Sequence, residues 1–152
     1  VYVASVPPTK AAIALVTDGS RLTGGFLCIP HGGTSWIKPA PFANGAAALD
    51  ARNGTHLGTA SFADKSATGQ VTVEGASRSF TAKLTSGKAG LYRTVKGTGG
   101  KPGYAETGWI VQPSGQVCAV TNSIASDGSF RSEPTKASPK GKITNFEVPF
   151  SY

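Results

Sequence analysis

Apolar and polar positions alternate with a period of two along most of the chain, and turn residues break the alternation about every ten residues. The first run, Val1 to Val6 (VYVASV), stops at Pro7 and Pro8. Ala11 to Asp18 (AAIALVTD) and Arg21 to Ile29 (RLTGGFLCI) flank the pair Asp18-Gly19. Asp-Gly between two apolar runs supplies the positive backbone angle that a tight hairpin turn requires, so Ala11 to Ile29 is predicted to be a hairpin. Pro30, Gly32, Gly33, Pro39 and Pro41 then fragment the chain. An irregular region is expected there, with only Ser35 to Lys38 extended around Trp36.

From Ala46 the punctuation becomes regular: AAALDA, the turn Arg52-Asn53-Gly54, THLGTASF, a polar turn from Asp64 to Gly69, QVTVEG and RSFTAKL. Val71, Val73, Phe80, Ala82 and Leu84 alternate with polar neighbours, the pattern of an antiparallel meander with one buried face. Ala46 to Leu49 also suits a short helix, but Gly45 and Gly54 bound it tightly, and the strand reading is preferred. Gly90 to Lys96 is a further strand, followed by the glycine-rich stretch Gly97 to Gly103, where a mobile loop is expected. Tyr104 to Gln112 and Gln116 to Thr121 form a hairpin about Pro113-Ser114-Gly115. Ser123 to Gly141 reads as a second long loop, and Ile143 to Phe150 (ITNFEVPF) as a final strand that pairs near the beginning of the chain. The fold class is therefore all-β: an antiparallel meander forming a β-barrel of about ten strands, or alternatively a two-sheet β-sandwich, with no long helix.

Composition narrows the picture. At 152 residues the chain suits a single domain, 1 to 152. Charged residues are 15%, Gly is 20 and Pro is 10, which excludes a coiled coil or a charged helical bundle. No apolar run reaches the ~18 residues of a transmembrane helix.

The net charge of +7 is unevenly placed. Arg78, Lys83, Lys88, Arg93, Lys96 and Lys101 fall between Gly75 and Ala105 with no acid among them, and Arg131, Lys136, Lys140 and Lys142 form a second basic group, relieved by Glu133 and Glu147. Such an excess attracts anionic partners, while the plain alternative is a solvated face that keeps the protein in solution. Lys88, Arg93, Lys96 and Lys101, with Trp36 as an exposed aromatic in a proline-bounded loop, are the expected binding residues. Groove-reading motifs for nucleic acid are missing, so no specific nucleic-acid partner is expected.

Cys28 and Cys118 stand ninety residues apart. With no C-x-x-C motif, a single long-range disulfide is their natural use, two buried free thiols being the alternative. The absence of methionine, including at position 1, predicts a processed chain. Together with low charge and abundant small residues it predicts an exported bacterial protein.

The runs AIALVTDGSRLTGGFLC (Ala12 to Cys28), FTAKLTSGKAGLYR (Phe80 to Arg93) and TGWIVQPSGQV (Thr107 to Val117) resemble an actinobacterial group of exported or cell-envelope proteins of unassigned function. The likeness spans about two thirds of the chain, and Ala89-Gly90-Leu91-Tyr92-Arg93 is its most specific part. It implies an extracytoplasmic location and brings no catalytic signature; Pro30 to Phe42 and the end from Ser123 depart from the pattern.

Catalytic options are thin. His31, His56, Asp18, Asp50 and Asp64 offer pieces of a Ser-His-Asp triad without G-x-S-x-G or a strand-turn-helix setting, and His56 reads as a turn-flanking strand residue. Glu74, Glu106, Glu133 and Glu147 are each expected beside a turn among exposed polar residues, which does not suit paired glycosidase carboxylates. Neither metal-ligand spacing nor a cofactor motif is present. Lys96-Gly97-Thr98-Gly99-Gly100-Lys101 is friendly to phosphate but is not a Walker loop. Tyr92, Tyr104 and Trp109 complete the aromatic candidates, with Trp109 expected in the core. The expectation is a secreted or envelope-associated, non-enzymatic β-domain that binds, or serves as a structural surface for, an anionic wall polymer or another extracellular protein. The alternatives are a protease inhibitor presenting Pro30 to Pro41 or Gly97 to Gly103, and a small ligand-binding barrel or hydrolase with a deep pocket.

Overall fold

A computed structural model describes residues 1–32 and 34–144. The chain is all-β, with thirteen strands in two antiparallel sheets and no helix among the described residues. The strands are β1 (Tyr2–Ser5), β2 (Ala12–Thr17), β3 (Arg21–Cys28), β4 (Ser35–Ile37), β5 (Ala40–Pro41), β6 (Ala46–Asp50), β7 (His56–Phe62), β8 (Ser66–Val73), β9 (Ala76–Leu84), β10 (Gly90–Lys96), β11 (Ala105–Val111), β12 (Val117–Ile124) and β13 (Phe130–Pro134).

The nine-stranded sheet runs β4-β3-β2-β1-β9-β8-β7-β6, with β5 also on β3. Its two ends meet: Ile37 bridges Ala51, Lys38 N donates to Asp50 O at 2.9 Å, and Arg52 N donates to Trp36 O at 3.0 Å. The sheet is thus a nearly closed barrel. Its curvature needs a glycine at Gly69, where a Cβ would lie 2.1 Å from Thr59 O and 3.0 Å from the tip of Phe80. Tyr2, Ile13, Leu15, Leu22, Leu49, Val71, Val73 and Phe80 fill the interior.

The four-stranded sheet, in order β10-β11-β12-β13, packs on the outside of β1–β4 around a second core. Val3, Ala12, Ala14, Val16, Phe26 and Trp36 come from the barrel, and Leu91, Ile110 and Val120 from the sheet. The strands of the shared wall are buried on both faces, which is why β2 reads as an unbroken apolar run while β6–β9 alternate. In β3 the core side switches between Leu22 and Leu27, because the register with β2 shifts between Val16 and Thr17. Cys28 and Cys118 form a disulfide that ties β3 to β12, with their Cα atoms 6.1 Å apart.

Several expectations are corrected. Pro30 to Pro41 is largely built into the barrel, since β4 and β5 both pair with β3. Ser123 to Gly141 holds a strand, β13, made with β12 by a hairpin at Asp127-Gly128. The Asp127 carboxylate accepts from Ser129 N and Oγ, which closes that turn and holds its pKa below the usual range. Leu84 does not join the buried face; it is 49% exposed at the end of β9. Gly97 to Gly103 is organised by hydrogen bonds from Lys101 N to Thr98 O, Tyr104 N to Lys101 O and Gly103 N to Ile124 O. Of the strand expected from Ile143 to Phe150, the described residues Ile143 and Thr144 follow β10, with Ile143 N donating to Leu91 O at 2.8 Å and Ile143 packed on the same core as Val1; the remainder lies outside the described residues. No helix of the described residues is long and apolar enough to cross a membrane.

Candidate functional site

Strand alternation places Leu91 and Arg93 of β10, Glu106, Gly108 and Ile110 of β11, and Cys118, Val120 and Asn122 of β12 on the sheet face turned to the barrel. Toward the disulfide this interface is apolar. At its other end it becomes polar, with Arg93, Glu106 and Asn122 replacing the hydrocarbon side chains.

Glu106 is fully buried, contrary to the expectation of an exposed glutamate beside a turn. Two guanidinium groups hold it. Arg93 Nε donates to Glu106 Oε2 at 2.6 Å, while Arg52, from the turn after β6, grips both carboxylate oxygens, with Nη1 to Oε2 at 3.2 Å and Nη2 to Oε1. The side chains of Arg52 and Arg93 are only 7% and 16% exposed. Charge-assisted, forked contacts of this kind offset the cost of desolvating three charges.

Trp36 roofs the cluster. Its ring stacks on Phe26 at 4.2 Å between centroids, and the Arg52 and Arg93 carbons lie 5.7 and 5.4 Å from it. Gly108 makes room for this packing, since a Cβ there would meet Phe26 at 2.6 Å and Trp36 at 2.9 Å. Tyr104 closes the end of the cluster. Burial, and then the neighbouring Glu106 carboxylate, push its phenol up to about 12.

Beside the cluster lies an open cleft of about 330 Å³, lined by Thr34, Ser35, Trp36, Ala51, Arg52, Asn53, Asn122 and Phe130. Asn122 is 5% exposed, and its Oδ1 is buried with no hydrogen-bond partner among the described residues. Phe130 stands on the rim, 57% exposed.

The expected binding residues separate. Lys88, Lys96 and Lys101 are exposed. Arg93 is not a surface contact, because its guanidinium is spent on Glu106. Trp36 is not an exposed aromatic: it is 3% exposed, since β4 is paired to β3 beneath the second sheet. Trp109 is buried as expected, its Nε1 donating to Ala137 O at 2.9 Å. Tyr92 donates to Lys88 O at 2.6 Å. His56 flanks its turn as expected and pairs across the strands with Asp50 at 2.7 Å. His31 is exposed in the turn after β3. Among the described residues no group of three His, Cys, Asp or Glu side chains gathers as metal ligands would.

Arg52, Glu106 and Asn122 are the residues that sequence reasoning missed. The signal for two of them was parity: Glu106 is two residues from Gly108 and four from Ile110, and Asn122 is two from Val120, so both share the buried face of their strands. Arg52 carried no such signal, because it follows its strand and reaches the cluster only through barrel closure.

No protein-family model, curated protein or solved structure matches the chain. The fold and site thus define an all-β protein in which a barrel and a second sheet share one wall, crosslinked by a disulfide and joined at one end by a buried ion cluster.

Proposed function

We propose that the chain is a secreted or envelope-associated, non-enzymatic β-domain that binds an anionic polymer outside the cytoplasm through its four-stranded sheet. One observation carries this reading. Residues 85–144 hold eight basic side chains against three acids, and the most buried of those acids, Glu106, is already neutralised by arginine. Lys88, Lys96, Lys101, Lys136 and Lys140 are exposed and form no ion pair among the described residues. Lys88 lies in the turn before β10 and Lys96 ends that strand, whose six steps at ~3.3 Å per residue span roughly 20 Å. That spacing suits an extended chain of charges better than a point ion.

The disulfide supports an oxidising compartment, and the resemblance to actinobacterial exported proteins agrees with it. A phosphate-rich wall polymer is the partner chemistry that fits, with affinity arising from counterion release and therefore falling steeply with salt. The test is a titration of the protein with soluble polyphosphate at increasing salt, in the native chain and in a Lys88→Ala, Lys96→Ala, Lys101→Ala triple variant. Binding at low salt that weakens with ionic strength, and a weaker, flatter dependence in the variant, is expected. Equal binding by the two proteins, or none by either, overturns the proposal.

A further inference from the structure

We infer that the anionic polymer lies across the strands on the outer face of the four-stranded sheet, in a shallow track over a row of threonine hydroxyls. The inference deepens the function proposed above and rests on it. Register defines the row. Thr94, Thr107 and Thr121 are paired directly across β10, β11 and β12, and all three are half-buried. They share the face of Trp109, opposite to Leu91 and Ile110, which turn to the barrel. At about 4.8 Å between strands the row is roughly 10 Å long. Thr107 Oγ1 and Thr121 Oγ1 are hydrogen-bonded at 2.8 Å.

One side of the row is cationic. The next paired row on this face is Lys96, Ala105, Ser123 and Arg131, and both of its cations are exposed, with no ion pair among the described residues. The other side is walled by the segment 135–142, which crosses the face after β13. Thr135 N donates to Ala119 O at 3.2 Å, Trp109 Nε1 to Ala137 O at 2.9 Å, and Arg93 N to Gly141 O at 3.0 Å. The crossing covers the row Tyr92, Trp109 and Ala119, which is why Trp109 is 3% exposed although it belongs to neither core. Lys142 pins the far end of the segment through Gly87 O, while Lys136 and Lys140 are exposed along it.

A floor of hydroxyls with cations on both flanks is complementary to an extended polyanion. The hydroxyls donate to its oxygens, and the ammonium and guanidinium groups displace its counterions. Glu133 limits the track. It is paired with Thr121 at the edge-strand end of the row, and it is the only acid on this face among the described residues.

The experiment is a titration of the disulfide-intact protein and its variants with inorganic polyphosphate at several salt concentrations. Glu133→Gln is expected to tighten binding about threefold, the effect of removing one like charge ~6 Å from the polymer in water. Arg131→Gln weakens it and lowers the slope of log affinity against log salt by about one. Glu74→Gln and Lys65→Gln, in turns of the barrel, change the net charge equally and leave affinity and slope close to native. A Thr94→Val, Thr107→Val, Thr121→Val variant keeps every charge and the strand shape, yet binds about fivefold more weakly, the worth of one lost hydrogen bond. Thr59→Val, Thr68→Val, Thr81→Val on the exposed barrel surface does not. Effects of equal size from the barrel variants, or native-like binding by the Thr94, Thr107, Thr121 variant, overturn the track while polymer binding itself stands. No binding by the native chain overturns both.

Discussion

Replacing Glu106 by Gln is the change that most directly tests how the barrel and the second sheet are joined. The carboxylate is fully buried, and both of its oxygens are gripped by guanidinium groups that are themselves 7% and 16% exposed. Glutamine keeps the shape and can still accept hydrogen bonds, but it removes the negative charge that the two guanidinium groups share, under the ring of Trp36. Removing the common partner of a buried ion cluster costs about 3–5 kcal/mol, because the remaining charges stay desolvated. For a chain of this length each kcal/mol moves the midpoint of thermal unfolding by about 2–4 °C, so a fall of roughly 6–20 °C is expected.

The two arginines differ from the glutamate in a way that can be measured. Arg52→Ala leaves Arg93 on Glu106 as a one-to-one pair, and so it costs less than Glu106→Gln, about 1–3 kcal/mol. Replacing all three by apolar residues of similar volume removes the charges of this cluster and restores stability to near the native value. Thermal and urea unfolding of the four proteins, with Trp fluorescence as the probe, give the comparison, since Trp36 lies directly on the cluster. A Glu106→Gln midpoint within about 2 °C of native, or a triple apolar variant less stable than Glu106→Gln, refutes the argument that the charges are desolvated.

Three further outcomes follow from neighbouring features. Tyr104 keeps its proton up to about 12, whereas an unfolded tyrosine releases it near ~10, so its share of stability is intact below pH ~10 and is lost as pH rises toward about 12; urea midpoints across that window fall more steeply in the native chain than in Tyr104→Phe. Gly108→Ala sets a methyl 2.6 Å from Phe26, and the resulting overpacking lowers the unfolding free energy by about 1–3 kcal/mol in the same assay. Cys28→Ala with Cys118→Ala opens a loop closed over ninety residues and costs about 4–5 kcal/mol in the chain-entropy model; thermal unfolding with and without reductant should show the native protein falling to the level of the double variant.

The barrel was largely legible in the sequence because its strands follow two simple rules. β6–β9 alternate, with Asn53-Gly54 and Glu74-Gly75 turning two of the three corners and the polar Asp64-Lys65 pair the other, and the β2–β3 hairpin is marked by Asp18-Gly19. The second sheet was harder, because its last strand, β13, is Phe130–Pro134, an almost wholly exposed segment whose polar residues look like loop. Only the Asp127-Gly128 pair announced its hairpin, with the same chemistry that was recognised at Asp18-Gly19. Trp36 was misplaced for a related reason: prolines and glycines on either side of it suggest a loop, yet three extended residues sufficed to complete an edge of the barrel. A strand this short is set by its neighbours and not by its own propensity.

The site was less legible than the fold, and the reason is topological. Arg52, Arg93, Glu106 and Asn122 come from a turn and three strands, and they converge only once the second sheet lies across the barrel wall. A two-sided wall of this kind is apolar where it is fully covered, and any polar residue on it must find a partner or a ligand. Glu106 finds two partners, and its burial is stable for that reason. Asn122 sits in the neighbouring strand, with its Oδ1 unmatched among the described residues where this end of the interface opens into a cleft. The same geometry thus accounts for both groups: the ion cluster seals the end of the interface from within, and the unsatisfied carboxamide marks where it meets the outside.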